Sequence, residues 1–454
     1  MTLLIISPDY ASHLYPLATL GVPWREAGHR VVVATGPATA GIVAEFGFER
    51  VNLSLSRGSN PGIIRAEEQL TGEDDALRGF FAATRIGMIE TLAFQAAARS
   101  ADLLWNPVSV ARAVHRVIDL VEPDHIIVDH LAFSARLALG SAGIPYADVV
   151  LGHPSALPVA GEVYGFPPAW PSAFTPKSIA VGALREQCEA VRVSFTAQWN
   201  EALRILNPQA SPSADAFAET GDLLLLNYPE ALHDSARTAL LPPHIFLGSA
   251  VRSEALDGEV EAWLAAESGP IIYVSFGSFL SVRADVLARV SAALRDFPFR
   301  VAIATGSTEI TRLGNLPESW LVRAFLPQLR LLSRSALVVT HGGNNSVTEA
   351  LTAGSPLLVL PFSTDQFAGA AAVIVADVGE ALDPNRATVA ELREAAARLL
   401  QPSAATRQSL LAVHRSLTEN PGPARAFRAL TTTRSLRAEE EVGSGDPSGV
   451  RLAV

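Results

Sequence analysis

Residues 336–361 read ALVVTHGGNNSVTEALTAGSPLLVLP, and this stretch decides the architecture. Residues 336–340 form a short apolar run rich in β-branched residues, the signature of a strand buried on both faces. Gly342 and Gly343 follow, then a helical segment starting near Ser346, and residues 357–361 are a second apolar run. Strand, helix and strand in that order make a parallel pair joined by a crossover. The helix opens directly after a strand, so its unpaired amides and the positive end of its dipole face the crevice. The two glycines let the backbone approach a ligand closely, and such a place suits a diphosphate.

The same alternation extends outward. Residues 270–276 (PIIYVSF) and 299–304 (FRVAIA) are further strands, each trailed by a helix-like segment. At the other end of the chain, residues 2–6 (TLLII) read as a buried strand. Pro16 opens a helical face of Leu17, Leu20, Trp24 and Ala27 that Gly28 stops, and residues 30–35 (RVVVAT) return as a strand. Residues 125–129 (HIIVD), with a helical stretch 131–141, and residues 222–227 continue the series. The fold class is α/β, with two doubly wound parallel-sheet domains. The boundaries read as 1–232 for the first domain, 233–262 for a linker, 263–412 for the second domain, 413–434 for a helix returning to the first, and 435–454 for a disordered tail. Residues 57–79 and 153–177 read as loops or lids inserted in the first domain.

With 454 residues, 49% hydrophobic and 18% charged, the chain can bury two cores. A formal net charge of -11 argues against nucleic acid as a partner. Cys188 is the one cysteine, which excludes an internal disulfide and a thiolate metal cluster and fits a reducing cytoplasm. The N-terminus has no basic leader and no run of about 18 apolar residues occurs, so neither export nor membrane insertion is expected. Neither half has G-x-G-x-x-G after a strand, which removes the main support for a dinucleotide.

Within the decisive stretch His341 adds a hydrogen-bond donor, and Glu349 on the same helix can accept from ribose hydroxyls. Ser346-x-x-Glu349 is equally a capping box, and Gly-Gly after a strand is ordinary turn chemistry. The longer segment resolves the choice: Phe325-Leu326-Pro327-Gln328, then 340–349 (THGGNNSVTE), Gly354-Ser355-Pro356 and Asp365-Gln366. It resembles the nucleotide-sugar signature of the family 1 glycosyltransferases, the plant secondary-product and bacterial natural-product enzymes.

The resemblance implies a GT-B fold, two Rossmann-like domains facing a central cleft. It implies that Phe325 stacks on the base, that Leu326 pairs with it through its backbone, and that Gln328 lies near the base and ribose. His341, Asn345 and Ser346 would hold the phosphates, Glu349 the ribose, and Asp365 with Gln366 the sugar hydroxyls, with Gly343 and Asn344 also in the nucleotide-sugar site. Ser275-Phe276-Gly277-Ser278 resembles the family's first loop of the second domain and puts Ser278 near the diphosphate. The plant pattern has Trp where Phe325 stands, which leaves the base open, and His where Ser333 stands.

His13-Leu14-Tyr15-Pro16 follows the first strand as the family's H-x-x-P does, making His13 the expected general base. Asp129, at the end of HIIVD and ahead of Gly143-Ile144-Pro145, matches the carboxylate that orients it. His130 is the second candidate for the base. A metal site of His125, Asp129 and His130 is allowed by residue type but opposed by strand alternation.

The reading is an inverting, metal-independent transferase that needs no cofactor beyond a nucleoside-diphosphate sugar. A UDP-sugar is favoured and a dTDP-deoxysugar is open. The acceptor is a small, largely apolar molecule, for which Tyr164, Phe166, Trp170 and Phe174 offer an apolar cleft. If the chain self-associates, a homodimer is expected. A phosphorylase would need a pyridoxal-bearing lysine in the second domain, but the only lysine is Lys177. A sugar-nucleotide 2-epimerase, a non-catalytic relative and a nicotinamide dehydrogenase are the competing readings.

Overall fold

The structure is a computed structural model that describes residues 1–59, 73–102, 104–252, 254–277 and 282–443. Among them, strands β1 (Thr2–Ile6), β2 (Arg30–Thr35), β3 (Glu49–Asn52), β4 (His125–Asp129), β5 (Ala147–Val150), β6 (Leu223–Leu226) and β7 (His244–Phe246) form one sheet, in the order β3-β2-β1-β4-β5-β6-β7. Strands β8 (Ile271–Ser275), β9 (Arg300–Ala304), β10 (Leu321–Arg323), β11 (Ser335–Thr340), β12 (Leu357–Val359) and β13 (Gly379–Ala381) form the other, in the order β10-β9-β8-β11-β12-β13. Every pairing is parallel. Leu3, Leu4, Ile5 and Ile6 are all fully buried, as consecutive strand residues must be when helices cover both faces. Each such side chain contributes roughly 1.5–3 kcal/mol by leaving water.

The strands absent from the sequence reading are the four sheet edges, β3, β7, β10 and β13, together with β5. Edge strands are short and half-exposed, so no apolar run announces them. In β5 the run is broken by Asp148, fully buried beside an equally buried Arg136, whose Nε lies 2.9 Å from its Oδ1 in ion-pair rather than hydrogen-bond geometry. Its Oδ2 accepts from the Gly221 amide at 2.7 Å.

Two boundaries move. The registers Leu224↔His244 to Leu226↔Phe246 place β7 in the first sheet, although it lies inside the expected linker. The helix Gly258–Ala266 buries Val260 and Leu264 with Ile271 and Tyr273, so it packs with the second sheet and the connection shrinks to 247–257. The last helix, Gly422–Gly443, lies on the first-domain helix Ala11–Glu26, with Phe427 edge-on to Trp24 at 5.1 Å. Its start needs glycine, because a Cβ on Gly422 would sit 2.7 and 2.8 Å from the Ser249 and Leu247 carbonyls. Nothing between Pro423 and Gly443 breaks a helix, so it continues past residue 435 into the expected tail. Residues 444–454 lie outside the described residues.

Both sheets reverse their order once, between β1 and β4 and between β8 and β11. Open parallel sheets present a crevice at such a switch point, outside the carboxyl ends of the strands. His13 follows β1, Asp129 ends β4, Gly277 follows β8 and His341 follows β11, so the two crevices supply one cleft.

Candidate active site

The helix Ala11–Glu26 starts before Pro16, which lies inside it, and this puts His13 on the first turn. His13 Nδ1 is 2.6 Å from Asp129 Oδ2, with the His13 side chain 27% exposed and that of Asp129 1% exposed. The other Asp129 oxygen accepts from the Leu131 amide at 2.8 Å, which fixes the carboxylate plane. Burial alone would lower the His13 pKa, but Asp129, helped by Asp365, outweighs it and raises the pKa above 6.5. A carboxylate at Nδ1 holds the proton there and leaves the Nε2 lone pair free.

Proline has no N–H, so Pro16 cannot donate to the Ser12 carbonyl four residues back. That carbonyl instead accepts from Asn345 Nδ2 of the other domain at 3.1 Å. Asn344 Nδ2 crosses too, donating to the Leu151 and Asn227 carbonyls at 2.6 and 2.7 Å. Asn345 was expected at the phosphates and Asn344 in the nucleotide-sugar site; both line the cleft, and their side chains fasten the second domain to the first. The reason is directional: side chains of a first helical turn lean towards the helix N-terminus, which faces the opposite domain.

Their helix, Asn344–Thr352, begins ahead of Ser346, with Gly343 as N-cap and no side-chain cap. Ser346 and Glu349 therefore form no capping box, and the first-turn amides keep their donors for a ligand. Glu349 is buried; its Oε2 accepts from Gln328 Nε2 at 2.5 Å and its Oε1 is 3.4 Å from Arg252 Nη1. Burial raises its pKa, with Arg252 and Gln328 pulling the other way. Arg252 in turn covers the Tyr15 ring at 4.8 Å. His341 packs against Gly277, where a Cβ would stand 3.2 Å from its Cε1. Burial lowers its pKa to about 4, against the opposing pull of a hydrogen bond to the Ser275 backbone, so at neutral pH it is an uncharged imidazole.

Phe325 is 66% exposed, a free ring for stacking, while Leu326 beside it is buried. Asp365 also crosses the cleft, its Oδ2 accepting from the His153 amide at 2.7 Å. Gln366 is buried; its Oε1 accepts from the Phe362 and Ser363 amides at 3.0 and 3.2 Å and its Nε2 donates to Ser363 Oγ at 3.2 Å. Its amide shapes the 362–366 turn, and the residue also lines the cleft. Ser278 lies outside the described residues.

Ser12, His13, Asp129, His341, Ser346 and Asp365 line a single cleft of about 580 Å³. Gln328, Arg252 and Glu349 form a second group, centred on Glu349 one turn along the helix from Ser346. Tyr164 and Phe166 line the cleft, whereas Phe174 packs edge-on to Phe367 and Trp170 edge-on to Phe166. His130 also reaches the cleft wall but is buried 3.6 Å from Asp148; burial and then Arg136 push its pKa below 6.5. His125 packs on Trp24 at 4.9 Å, and no three metal-ligating side chains converge among the described residues. Arg252 had no sequence signal, lying in the segment read as linker. No helix among the described residues is long and apolar enough to cross a membrane.

Residues 234–413 match the model of the family described as UDP-glucoronosyl and UDP-glucosyl transferase. The chain is 29% identical over 213 residues to the NDP-glycosyltransferase YjiC of Bacillus licheniformis, covering 46% of this chain and 53% of that protein. It is 31% identical over 159 residues to the demethyllactenocin mycarosyltransferase of Streptomyces fradiae, covering 35% of this chain and 34% of that one. The match thus spans about half or less of these curated relatives. Among solved structures, the kitacinnamycin glycotransferase superposes with a TM-score of 0.65 at 21% identity, covering 95% of this chain and 98% of its own. The glycosyltransferase VinC, in complex with dTDP, gives 0.65 at 19% identity, covering 95% and 99%. At these identities the structures speak for the fold, and the family model speaks for the second domain. Residues 234–413 therefore resemble the UDP-glucoronosyl and UDP-glucosyl transferases, and the whole chain has the two-domain GT-B fold.

Proposed function

We propose that the protein is an inverting, metal-independent glycosyltransferase that moves a sugar from a nucleoside diphosphate to a hydroxyl of a small, largely apolar natural-product acceptor. The observation that carries this reading is the His13–Asp129 pair facing, across one cleft, an uncapped helix N-terminus. His13 Nε2 takes the acceptor proton as the oxygen forms its bond to the anomeric carbon. The bond from that carbon to the diphosphate oxygen breaks on the opposite face, and Asp129 stabilises the imidazolium. Amides of the Asn344–Thr352 helix and the neutral His341 receive the charge that develops on the leaving diphosphate. They do the work a cation would do, so no metal or other cofactor enters the scheme, and the reaction belongs in the cytoplasm.

A UDP-sugar is the favoured donor because Glu349, oriented by Gln328 and Arg252, suits a ribose with both hydroxyls. A dTDP-deoxysugar is the second reading, supported by the VinC complex with dTDP and the open base position at Phe325. The test is transfer from UDP-glucose to a panel of phenols and aliphatic alcohols, with and without excess chelator, the anomer of the product being read by NMR. Transfer with inversion that survives chelator is expected. Metal-restored activity after chelation, or retention at the anomeric carbon, would overturn it.

A further inference from the structure

The apolar side of the cleft contains a cation without a counter-charge. Arg99 lies on the helix Met88–Asp102, one turn beyond Gln95, whose Oε1 accepts from the Thr364 amide of the other domain at 3.1 Å. It lines the cleft together with Phe80, Tyr164 and Phe166. Its guanidinium carbon is 5.2 Å from the Tyr164 ring, which is itself pinned by stacking on Phe217 at 4.0 Å. Gly165 closes over the other side at φ +83, where any Cβ would collide with Arg99 Nη1. That nitrogen is buried and has no hydrogen-bond partner, and no carboxylate of the described residues lies within ion-pair distance.

Arg99 as a whole is half-buried, and the buried arginines of this chain are treated differently. Arg136 meets Asp148, Arg237 meets Glu162 and Arg283 meets Asp285, at 2.8 to 2.9 Å. Taking a guanidinium out of water is costly unless a charge or hydrogen bonds compensate, and a ring face compensates only in part. A site that holds such a cation rigidly, between an aromatic ring and a glycine and open to a ligand cleft, is prepared for an anion.

We infer that Arg99 reads a carboxylate on the acceptor, so that the acceptor class is an apolar hydroxy acid: hydroxyl at His13, aromatic or alicyclic body against Phe80, Tyr164 and Phe166, carboxylate at Arg99. This rests on the glycosyltransferase reading and deepens it. A uronic acid on the donor sugar has the same chemistry. Arg99 is held by Tyr164 and Gly165 of the first domain, which assigns the anion to the acceptor.

Hydroxynaphthoate and its neutral amide serve as probes, titrated by calorimetry into the UDP-saturated full chain, wild type and Arg99→Gln. The carboxylate should bind at least about ten-fold more tightly than the amide in the wild type. In Arg99→Gln the two should bind alike with UDP affinity unchanged, and Arg99→Lys should keep part of the preference, which a packing role would not produce. Equal affinities in the wild type, weak or absent binding of both included, overturn the inference, as does a preference that survives in Arg99→Gln. If the variant instead loses discrimination between UDP-glucuronate and UDP-glucose, the anion belongs to the donor and the acceptor assignment falls. Failure of UDP itself to bind would sink the glycosyltransferase reading, whereas UDP binding without carboxylate preference sinks this inference alone.

Discussion

His13 and Asp129, 116 positions apart in the chain, meet at 2.6 Å at the switch point of the first sheet, with Asp129 held by the Leu131 amide and His13 open to the cleft. In the proposed reaction a side chain placed like this acts on turnover and leaves nucleotide binding alone, because the proposed diphosphate site lies in the other domain. His13→Ala should lower turnover by on the order of 100- to 10,000-fold while UDP affinity stays near the wild-type value. Asp129→Asn should lose much of the same factor, and the double variant should be little worse than His13→Ala, since the two act as a unit. Steady-state kinetics beside UDP calorimetry decide it; near wild-type turnover in His13→Ala on an aliphatic alcohol would refute the assignment and make His130 the next candidate.

The pH profile follows from the same pair. The base works when neutral, and its pKa is raised above 6.5 by Asp129 against the opposing pull of burial. kcat/KM should therefore rise with pH through an inflection above 6.5. Asp129→Asn removes the raising influence and keeps the burial, so the inflection should move down even as the plateau falls. An inflection that stays in place would mean that another group controls the acid limb. An aliphatic acceptor is required, because a phenol ionises on its own at high pH.

Glu349 sets up a nucleotide comparison. If its carboxylate accepts from both ribose hydroxyls, UDP should bind more tightly than dTDP, which lacks one of them, by about 1 kcal/mol or more. Arg252→Met should narrow the difference, because Arg252 is the cation beside Glu349 Oε1 and its loss lets the buried carboxyl protonate more readily. Calorimetric titration with both nucleotides measures this. A preference for dTDP would move the donor to the deoxysugars.

Stability should depend on a buried pair far from the chemistry. Arg136→Met leaves Asp148 charged and buried with the Gly221 amide as its remaining hydrogen bond, and should cost about 3–5 kcal/mol in urea denaturation. Adding Asp148→Asn should recover a good part of that loss, since a neutral amide is cheaper to bury than an unpaired carboxylate. A single variant as stable as wild type would show that the pair is not a net support.

The helix Asn344–Thr352 shows how far local signals reach. Gly342 and Gly343 after an apolar run announce a strand that ends and a helix that begins, and residues 336–361 carry that information within a few turns of chain, while the lack of a side-chain cap emerged only from the structure. Apart from β5, the buried central strands of both sheets and the two-domain plan could be read the same way, whereas the roles expected of residues 13, 129, 341 and 349 leaned on the family resemblance. Periodicity and glycine placement are local properties of the chain.

What neighbours across the cleft do could not be read. Asn344 and Asn345 belong to the glycine-flanked helix start in sequence, yet they bond Leu151, Asn227 and Ser12 because the first domain stands opposite them. Arg252 and Arg99 look like surface cations in a string of letters, and their places beside Glu349 and Tyr164 come from how the linker and the helix Met88–Asp102 pack. Edge strands such as β7 exist because a neighbouring strand pairs with them, so their formation depends on tertiary register more than on their own apolar content. The sequence alone therefore determined two parallel sheets and a glycine-flanked strand-to-helix turn, each a matter of short-range propensity. Only the tertiary structure decided which side chains meet across the cleft, because such meetings depend on the relative placement of segments hundreds of residues apart in the chain.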